Sequence, residues 1–266
     1  EDYMECFKSP FGEVFVVCDG MGGHEGGEIA SRLAVATIRQ IITTNLNGLT
    51  SPASIIEESM GLANRAVISK SHEVNGLKGM GTTSVVLIVK DNQAFYGHVG
   101  DSRLYLVRGN TLYLMTRDHS FVQGLIDQGL IGWEEAESHP RKNEITQALG
   151  IFDNINPEVN HKALQLYKGD KFILCSDGLT GPVPEDKILE LVSKYPPMEA
   201  SNALVEAANN NGGPDNITVQ IIEITNAETL PQDKMAIPPE GAIDRSSMKT
   251  NAKIRDFRNP SSDSNT

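Results

Sequence analysis

Three cysteines are all the thiol chemistry that this 266-residue sequence offers. An odd set lying in or beside apolar runs (Cys6, Cys18, Cys175) builds no disulfide framework and suits a reducing compartment. All three are therefore expected to be buried thiols, in a cytoplasmic protein. None sits in a phosphate-cradling Cys-x5-Arg loop, and Cys175 lies two residues before Asp177, whose charge suppresses a thiolate. Positive charge is scarce too: 23 Lys and Arg stand against 35 Asp and Glu, for a net charge of −12. That balance disfavours a partner of dense negative charge, whether nucleic acid or an anionic membrane. Long apolar runs are missing. The stretch Thr82 to Val89 falls far short of the ~20 residues that span a bilayer, and no basic-then-apolar leader opens the sequence, so this segment is expected to be soluble. It begins at Glu1 rather than Met, and is expected to be a fragment.

What is present is enough for one large domain. Hydrophobic content of 39% and charged content of 22% are near globular averages. Residues 225–266 are polar, rich in Pro, Ser and Asn, and have almost no apolar periodicity, so a disordered tail is expected there after a folded domain over 1–224. The tail carries as many basic as acidic residues, which puts the whole negative excess in 1–224.

Within that domain, short β-branched and aromatic runs predict strands at Glu13–Cys18, Thr83–Val89, Gln93–Val99, Arg103–Val107, Thr111–Met115, Lys171–Cys175 and Ile217–Ile224. Amphipathic patterns predict helices over Gly27–Asn45 and Ser51–Ser71, the second opening at Ser51 and Pro52, and a further pair near Asp186–Lys194 and Met198–Asn210. Turn residues at Lys90-Asp91-Asn92, Gly100-Asp101 and Arg108-Gly109-Asn110 favour antiparallel hairpins over βαβ units. The simplest arrangement that covers every apolar face is an α/β (α+β) fold: a four-layer α-β-β-α sandwich of mainly antiparallel sheets flanked by helix pairs.

Four aspartates share one setting, a turn of small residues at a strand end: Asp19 in VVCDGMGG, Asp101 in GHVGDSR, Asp177 in LCSDGL and Asp215 in GGPDNIT. Taken singly, each is an ordinary turn residue. Taken together, carboxylates converging without matching Lys or Arg repel one another unless hard divalent cations neutralise them. Oxygen-only ligands favour Mg²⁺ or Mn²⁺ over zinc.

The segments DGMGGHEGGEIAS (19–31), GMGTT (79–83), GHVGDSR (97–103), TRDHSFVQGLIDQGLI (116–131), HPRKNEITQALG (139–150), LCSDGL (174–179) and GGPDNIT (212–218) resemble, in order, the motifs of the metal-dependent type 2C protein serine/threonine phosphatases in their bacterial form. The resemblance runs from residue 1 to about 224. It implies a binuclear Mn²⁺/Mg²⁺ centre that hydrolyses phosphoserine and phosphothreonine on proteins without a covalent phosphoenzyme. Carried over, Asp19 bridges the two metals, the Gly20 carbonyl binds one of them, Asp177 and Asp215 complete the pair, and Asp101 holds a third, weaker ion beside Asp177. His24 is the candidate proton donor to the leaving Ser or Thr oxygen or the residue that orders a metal-bound water, against a structural role in the glycine-rich turn. Family members carry an Arg-x-x-Asn-Glu-Asp stretch and an extra first strand. Glu1-Asp2 look like the end of that stretch, whose acidic pair lies near the metals; the resemblance thus implies a missing phosphate-gripping Arg and an unpaired sheet edge beside Gly12–Cys18.

Of the other histidines, His98 reads as a satisfied core residue and His119 as a partner at a helix start, while His72 and His161 read as surface positions. His139 and Asn143 fall in a polar segment, about Leu130 to Leu149, resembling the mobile flap of bacterial members, a type of loop that gates access. Arg103 reads either as a partner for a carboxylate near the site or as a residue lining the sheet, the second being favoured. The expected partners are phosphorylated proteins and an opposing Ser/Thr kinase, the expected state a monomer. Two competing readings are an inactive regulatory module on the same fold and a metal-dependent phosphodiesterase or nuclease. Intact aspartates argue against the first, and the acidic balance against the second.

Overall fold

A computed structural model describes residues 1–243 apart from 46, 75, 235 and 236. In chain order the elements are β1 (Tyr3–Ser9), β2 (Gly12–Cys18), β3 (Gly20–Met21), α1 (His24–Thr44), α2 (Pro52–Glu73), β4 (Gly81–Thr82), β5 (Ser84–Lys90), β6 (Gln93–Val99), β7 (Arg103–Arg108), β8 (Thr111–Leu114), α3 (Phe121–Asp127), α4 (Trp133–Ser138), β9 (Glu158–Val159), β10 (Leu164–Gln165), β11 (Lys171–Cys175), α5 (Asp177–Thr180), α6 (Glu185–Lys194), α7 (Pro197–Asn210) and β12 (Val219–Glu223), with a 3-10 turn at Gln232–Lys234. One sheet runs β1-β2-β5-β6-β10, with β9 also on β6; a second runs β12-β11-β7-β8; β3 and β4 pair separately. Every pairing is antiparallel.

The period of two along each strand divides its side chains between two apolar layers. On β5, Val86 and Ile88 pack with α1 and α2 residues such as Ile38, Ile42, Ile56 and Met60. Their neighbours Val85 and Leu87 point the other way and meet Leu104, Leu106, Phe172 and Leu174 of the second sheet. On the far side, Tyr105 and Ile173 pack with Ile188, Val192 and Leu204 of α6 and α7. Three apolar layers therefore separate four structural ones, and the expected α-β-β-α sandwich is the observed fold. Each fully buried Leu, Ile or Phe contributes roughly 1.5–3 kcal/mol relative to exposure, so these layers supply most of the cohesion.

Helix α1 starts three residues before its expected position, because Gly22 and Gly23 at φ 109° and 89° turn the chain directly into it. It ends where Asn45 takes the left-handed conformation and its N–H donates to the Ile41 carbonyl. Pro52 opens α2, as its fixed φ favours, but Ser51 makes no side-chain cap.

Three expectations need correction. The edge beside Gly12–Cys18 is not unpaired: Tyr3–Ser9 forms β1 and pairs with it in full register, Tyr3 opposite Cys18 and Ser9 opposite Gly12. Its alternation was obscured because the exposed face of this edge strand carries Met4 and Cys6 beside Lys8, while the half-buried face carries Glu5 between Tyr3 and Phe7. Cys6 lies on that face and is exposed, so only Cys18 and Cys175 are buried. The folded part also runs past 224. The Lys168 N–H donates to the Glu228 carbonyl, the Ile243 N–H donates to the Leu114 carbonyl and bridges β8, and Ala227 and Ala242 pack against the layer between the sheets. Isolated anchors and backbone bonds of this kind leave no periodic trace in a sequence. Residues 244–266 of the expected tail lie outside the described residues.

Candidate metal centre

Strand ends deliver the acidic residues to one end of the sandwich. Asp19 follows β2 and is fixed by its backbone: its N–H donates to Thr83 Oγ1 (3.0 Å), and its carbonyl accepts from Thr83 N–H (2.8 Å) and Thr82 Oγ1 (2.8 Å). Gly20 opens β3 and pairs with Thr82. A Cβ at Gly20 would lie 2.1 Å from the Gly27 carbonyl oxygen and 2.7 Å from that of Glu1, so only glycine lets these backbones meet. Asp101 occupies the turn between β6 and β7, and Asp177 is the first residue of α5, immediately after β11 and Ser176. Asp215 stands in the loop before β12, exposed, with Oδ1 accepting the Asn216 N–H (2.7 Å). At Gly178 a Cβ would fall 2.0 Å from the Asn216 carbonyl oxygen, which explains how the Asp177 and Asp215 loops come together.

A fifth carboxylate joins them. Asp2 Oδ2 accepts from Ser176 Oγ (2.7 Å), and that hydroxyl also accepts the Thr218 N–H (3.1 Å). The Glu1 amino group donates to Asn216 Oδ1 (2.6 Å), and its carbonyl accepts from Ser31 Oγ (2.6 Å). The resemblance of Glu1-Asp2 to the end of the family's first motif implied an acidic pair near the metals; its place here depends on β1 pairing with β2.

Burial and, after it, charge repulsion govern the cluster. Burial, then the charges of Asp2, Asp177 and Asp101, hold the Asp19 carboxyl far above the carboxylate range. Asp101 is pushed up to about 7 by burial and by Asp177 and Asp118, against the opposing pull of Arg103. Asp177 is raised by burial and by Asp215. Asp2 Oδ1 and Asp177 Oδ1 are buried with no hydrogen-bond partner. Oxygen-only ligands that cannot all ionise together, two of them with an orphaned oxygen, fit hard divalent cations. The two buried cysteines play no nucleophilic part: burial pushes Cys18 and Cys175 up to about 12.

Of the two readings of Arg103, the structure shows the carboxylate partner rather than the favoured sheet lining. Arg103 grips Asp118 through Nε (3.0 and 3.1 Å) and Nη2 (2.6 Å), and Nη1 donates to the Tyr105 hydroxyl (3.1 Å), which donates to Glu185 (3.0 Å). Beside this network opens a cleft of about 880 Å³ that reaches from Asp101 and Asp177 to Trp133 and Glu137 of α4, Asn143, and the Thr180–Asp186 segment. The segment expected to form a flap thus forms one wall. His139 ends α4, its Nδ1 accepting the Arg141 N–H (3.1 Å). His98 is buried in β6 with Nε2 2.6 Å from the Arg117 carbonyl, and His72 and His161 are exposed. His24 begins α1, but its side chain lies outside what is described.

The fold and this acidic centre define a class, a hydrolase built to work through divalent cations. The sequence matches the protein phosphatase 2C family over residues 1–218, and the chain belongs to that family. It is a metal-dependent protein phosphatase. The protein phosphatase PhpP of Streptococcus pneumoniae is 37% identical over 227 residues, covering 84% of this chain and 91% of that protein. The serine/threonine phosphatase Stp1 of Staphylococcus aureus superposes with a TM-score of 0.77 at 31% identity, over 85% of this chain and 89% of that one. The catalytic domain of the phosphatase PstP, in complex with two manganese ions, does so with a TM-score of 0.71 at 30% identity, over 85% and 98%. Among the described residues no helix is long and apolar enough to cross a membrane.

Proposed function

We propose that the chain hydrolyses phosphoserine and phosphothreonine on proteins, and that Asp19, the Gly20 carbonyl, Asp177 and Asp215 hold a pair of Mn²⁺ or Mg²⁺ ions, with Asp101 and Asp177 holding a third more weakly. The observation that carries this is the convergence of Asp2, Asp101, Asp177 and Asp215 on Asp19 and on one another, each of these four raising the cost of ionising a neighbour. When bound, such ions acidify an attacking water and neutralise charge on the phosphoryl oxygens. The chain's own residues do the rest. Three backbone hydrogen bonds fix Asp19, so its carboxylate needs no reorganisation during reaction. Ser176 and Thr218 fix Asp2 against the Asp177 helix. The Arg103–Asp118 pair keeps a guanidinium near Asp101 and Asp177, offsetting part of their repulsion. The cleft beside α4 gives a phosphorylated segment a path to these groups. His24, five residues after Asp19, is proposed as the proton donor to the leaving oxygen.

The domain carrying this activity is taken as 1–224, extended by the packed segment to 243. The same reading includes an opposing Ser/Thr kinase, a monomeric state and a cytoplasmic location; the unpaired Cys6, Cys18 and Cys175 support the last. Hydrolysis of a phosphothreonine peptide, an aryl phosphomonoester and an aryl phosphodiester, each with and without Mn²⁺, tests the proposal. Mn²⁺-dependent turnover of the first two is expected. Turnover of the diester alone would point to a phosphodiesterase, and none at all to a binding module.

A further inference from the structure

His119 makes an unusual pair of contacts with Gly100, the residue directly before Asp101. The Gly100 N–H donates to His119 Nδ1 (3.2 Å), and the His119 N–H donates to the Gly100 carbonyl (2.9 Å). Gly100 has no freedom to move away: its φ is +101°, and a Cβ there would lie 2.6 Å from Thr83 Cγ2. The His119 carbonyl in turn accepts the Thr146 N–H (2.7 Å), at the end of the segment that walls the cleft, and Ser120 bridges Ile145. One buried residue therefore joins the turn that presents Asp101 to the chain returning from α4.

The ring is held on its other sides as well. It stacks on His98 with centroids 4.8 Å apart, and Nε2 lies 3.6 Å from Glu158 Oε1, with no hydrogen-bond partner closer. His98, His119 and Glu158 offer one ligand atom each within 4.8 Å of one another, a spacing that a cation can use. The hydrogen bonds decide against that use. Because Nδ1 accepts the Gly100 N–H, the neutral ring carries its proton on Nε2, the atom a metal would need bare.

We propose that His119 is a positioning residue for Asp101: its Nδ1 and backbone N–H clamp Gly100, which sets the Asp101 carboxylate for the weaker third ion and ties that setting to the cleft wall. The proposal rests on the reading of Asp101 given above. It differs from a simple packing role in one respect. A packing role needs the ring, whereas the clamp needs only an acceptor at the position of Nδ1, which an asparagine side-chain oxygen can supply.

The test is titration of the full chain with Mn²⁺ alone by calorimetry, reading the number of ions bound and the affinity of each, beside melting curves. His119→Ala is expected to keep the two tight ions and weaken the third at least about tenfold, with a matching rise in the Mn²⁺ needed for half-maximal turnover. His119→Asn is expected to recover most of that loss. Equal loss in His119→Asn and His119→Ala overturns the clamp, as does unchanged weak-ion binding in a folded His119→Ala. If His119→Ala does not fold, His119→Asn is compared with the unaltered chain, and a tenfold loss there overturns the proposal equally. Asp101→Ala separates the two levels. Unchanged weak-ion binding in that variant removes Asp101 from the third site and the clamp with it, whereas loss in Asp101→Ala but not in His119→Ala leaves the site and removes only the clamp.

Discussion

Strands β7 and β11 lie side by side, Val107 opposite Lys171 and Arg103 opposite Cys175, and they bury charge at both ends in opposite ways. At one end Arg108 and Asp170, 8% and 2% exposed, form a closed unit. Arg108 Nε and Nη2 donate to the two Asp170 oxygens (2.9 and 2.6 Å), Nη2 also to the Gln165 carbonyl (2.8 Å), and Asp170 Oδ2 accepts the Tyr167 N–H (2.9 Å). Every charge there has its partner in the chain. At the other end Asp101 and Asp177 face each other and further carboxylates, with a buried oxygen of Asp177 left unpartnered. Buried charge is therefore not by itself a mark of function. The mark is buried charge whose neutralising partner the chain does not supply.

The comparison fails if the two ends respond alike, and the largest effect is expected at the closed one. Asp170→Ala leaves Arg108 buried without its anion and should destabilise the fold by about 3–5 kcal/mol, read from denaturant unfolding, with turnover per folded molecule preserved. At the open end the pattern reverses. Asp177→Asn or Asp215→Asn should reduce turnover at least about 10²-fold while metal-free melting barely falls, or rises, because a like charge has gone. Near-normal Mn²⁺-dependent turnover in either variant would remove that residue from the site.

A smaller effect concerns pH. The Asp101 carboxyl sits at about 7 in the fold against 3.8 for the free group. Below about pH 4 both states bind its proton and the contribution to stability is fully present. Above that the unfolded chain has released the proton while the folded chain still holds it, so the metal-free protein should lose stability as pH rises from about 4 through 7. Melting in chelator at pH 5 and pH 8 should show the fall, Asp101→Asn should reduce it while Asp19 and Asp177 keep the remainder, and Mn²⁺ should oppose it; a flat profile in the unaltered chain would count against repulsion at this end. The smallest effect belongs to the exposed Lys162–Glu240 pair, 2.7 Å apart, which ties down the segment after 237. Lys162→Ala should cost no more than about 1 kcal/mol, and a larger loss of melting stability would mean that this segment closes the fold rather than merely covering it.

The sequence by itself determined the local chemistry. Strand and helix periodicities, the hairpin turns, and the aspartates in glycine turns are set within a few residues of one another, because side-chain alternation and left-handed backbone are local properties. Asp19, Gly20, Asp101, Asp177 and Asp215 could thus be picked out, and the order of the seven motifs named their family. Only the tertiary structure decided what depends on residues far apart in the chain. It paired Tyr3–Ser9 with β2 and so carried Asp2 to Ser176, 174 positions away. It chose Asp118 as the carboxylate partner of Arg103, placed His119 on Gly100, and bound residues 225–243 by single anchors and backbone hydrogen bonds. Contacts of this kind have no period in the sequence: each depends on two distant segments being packed before the bond between them can form.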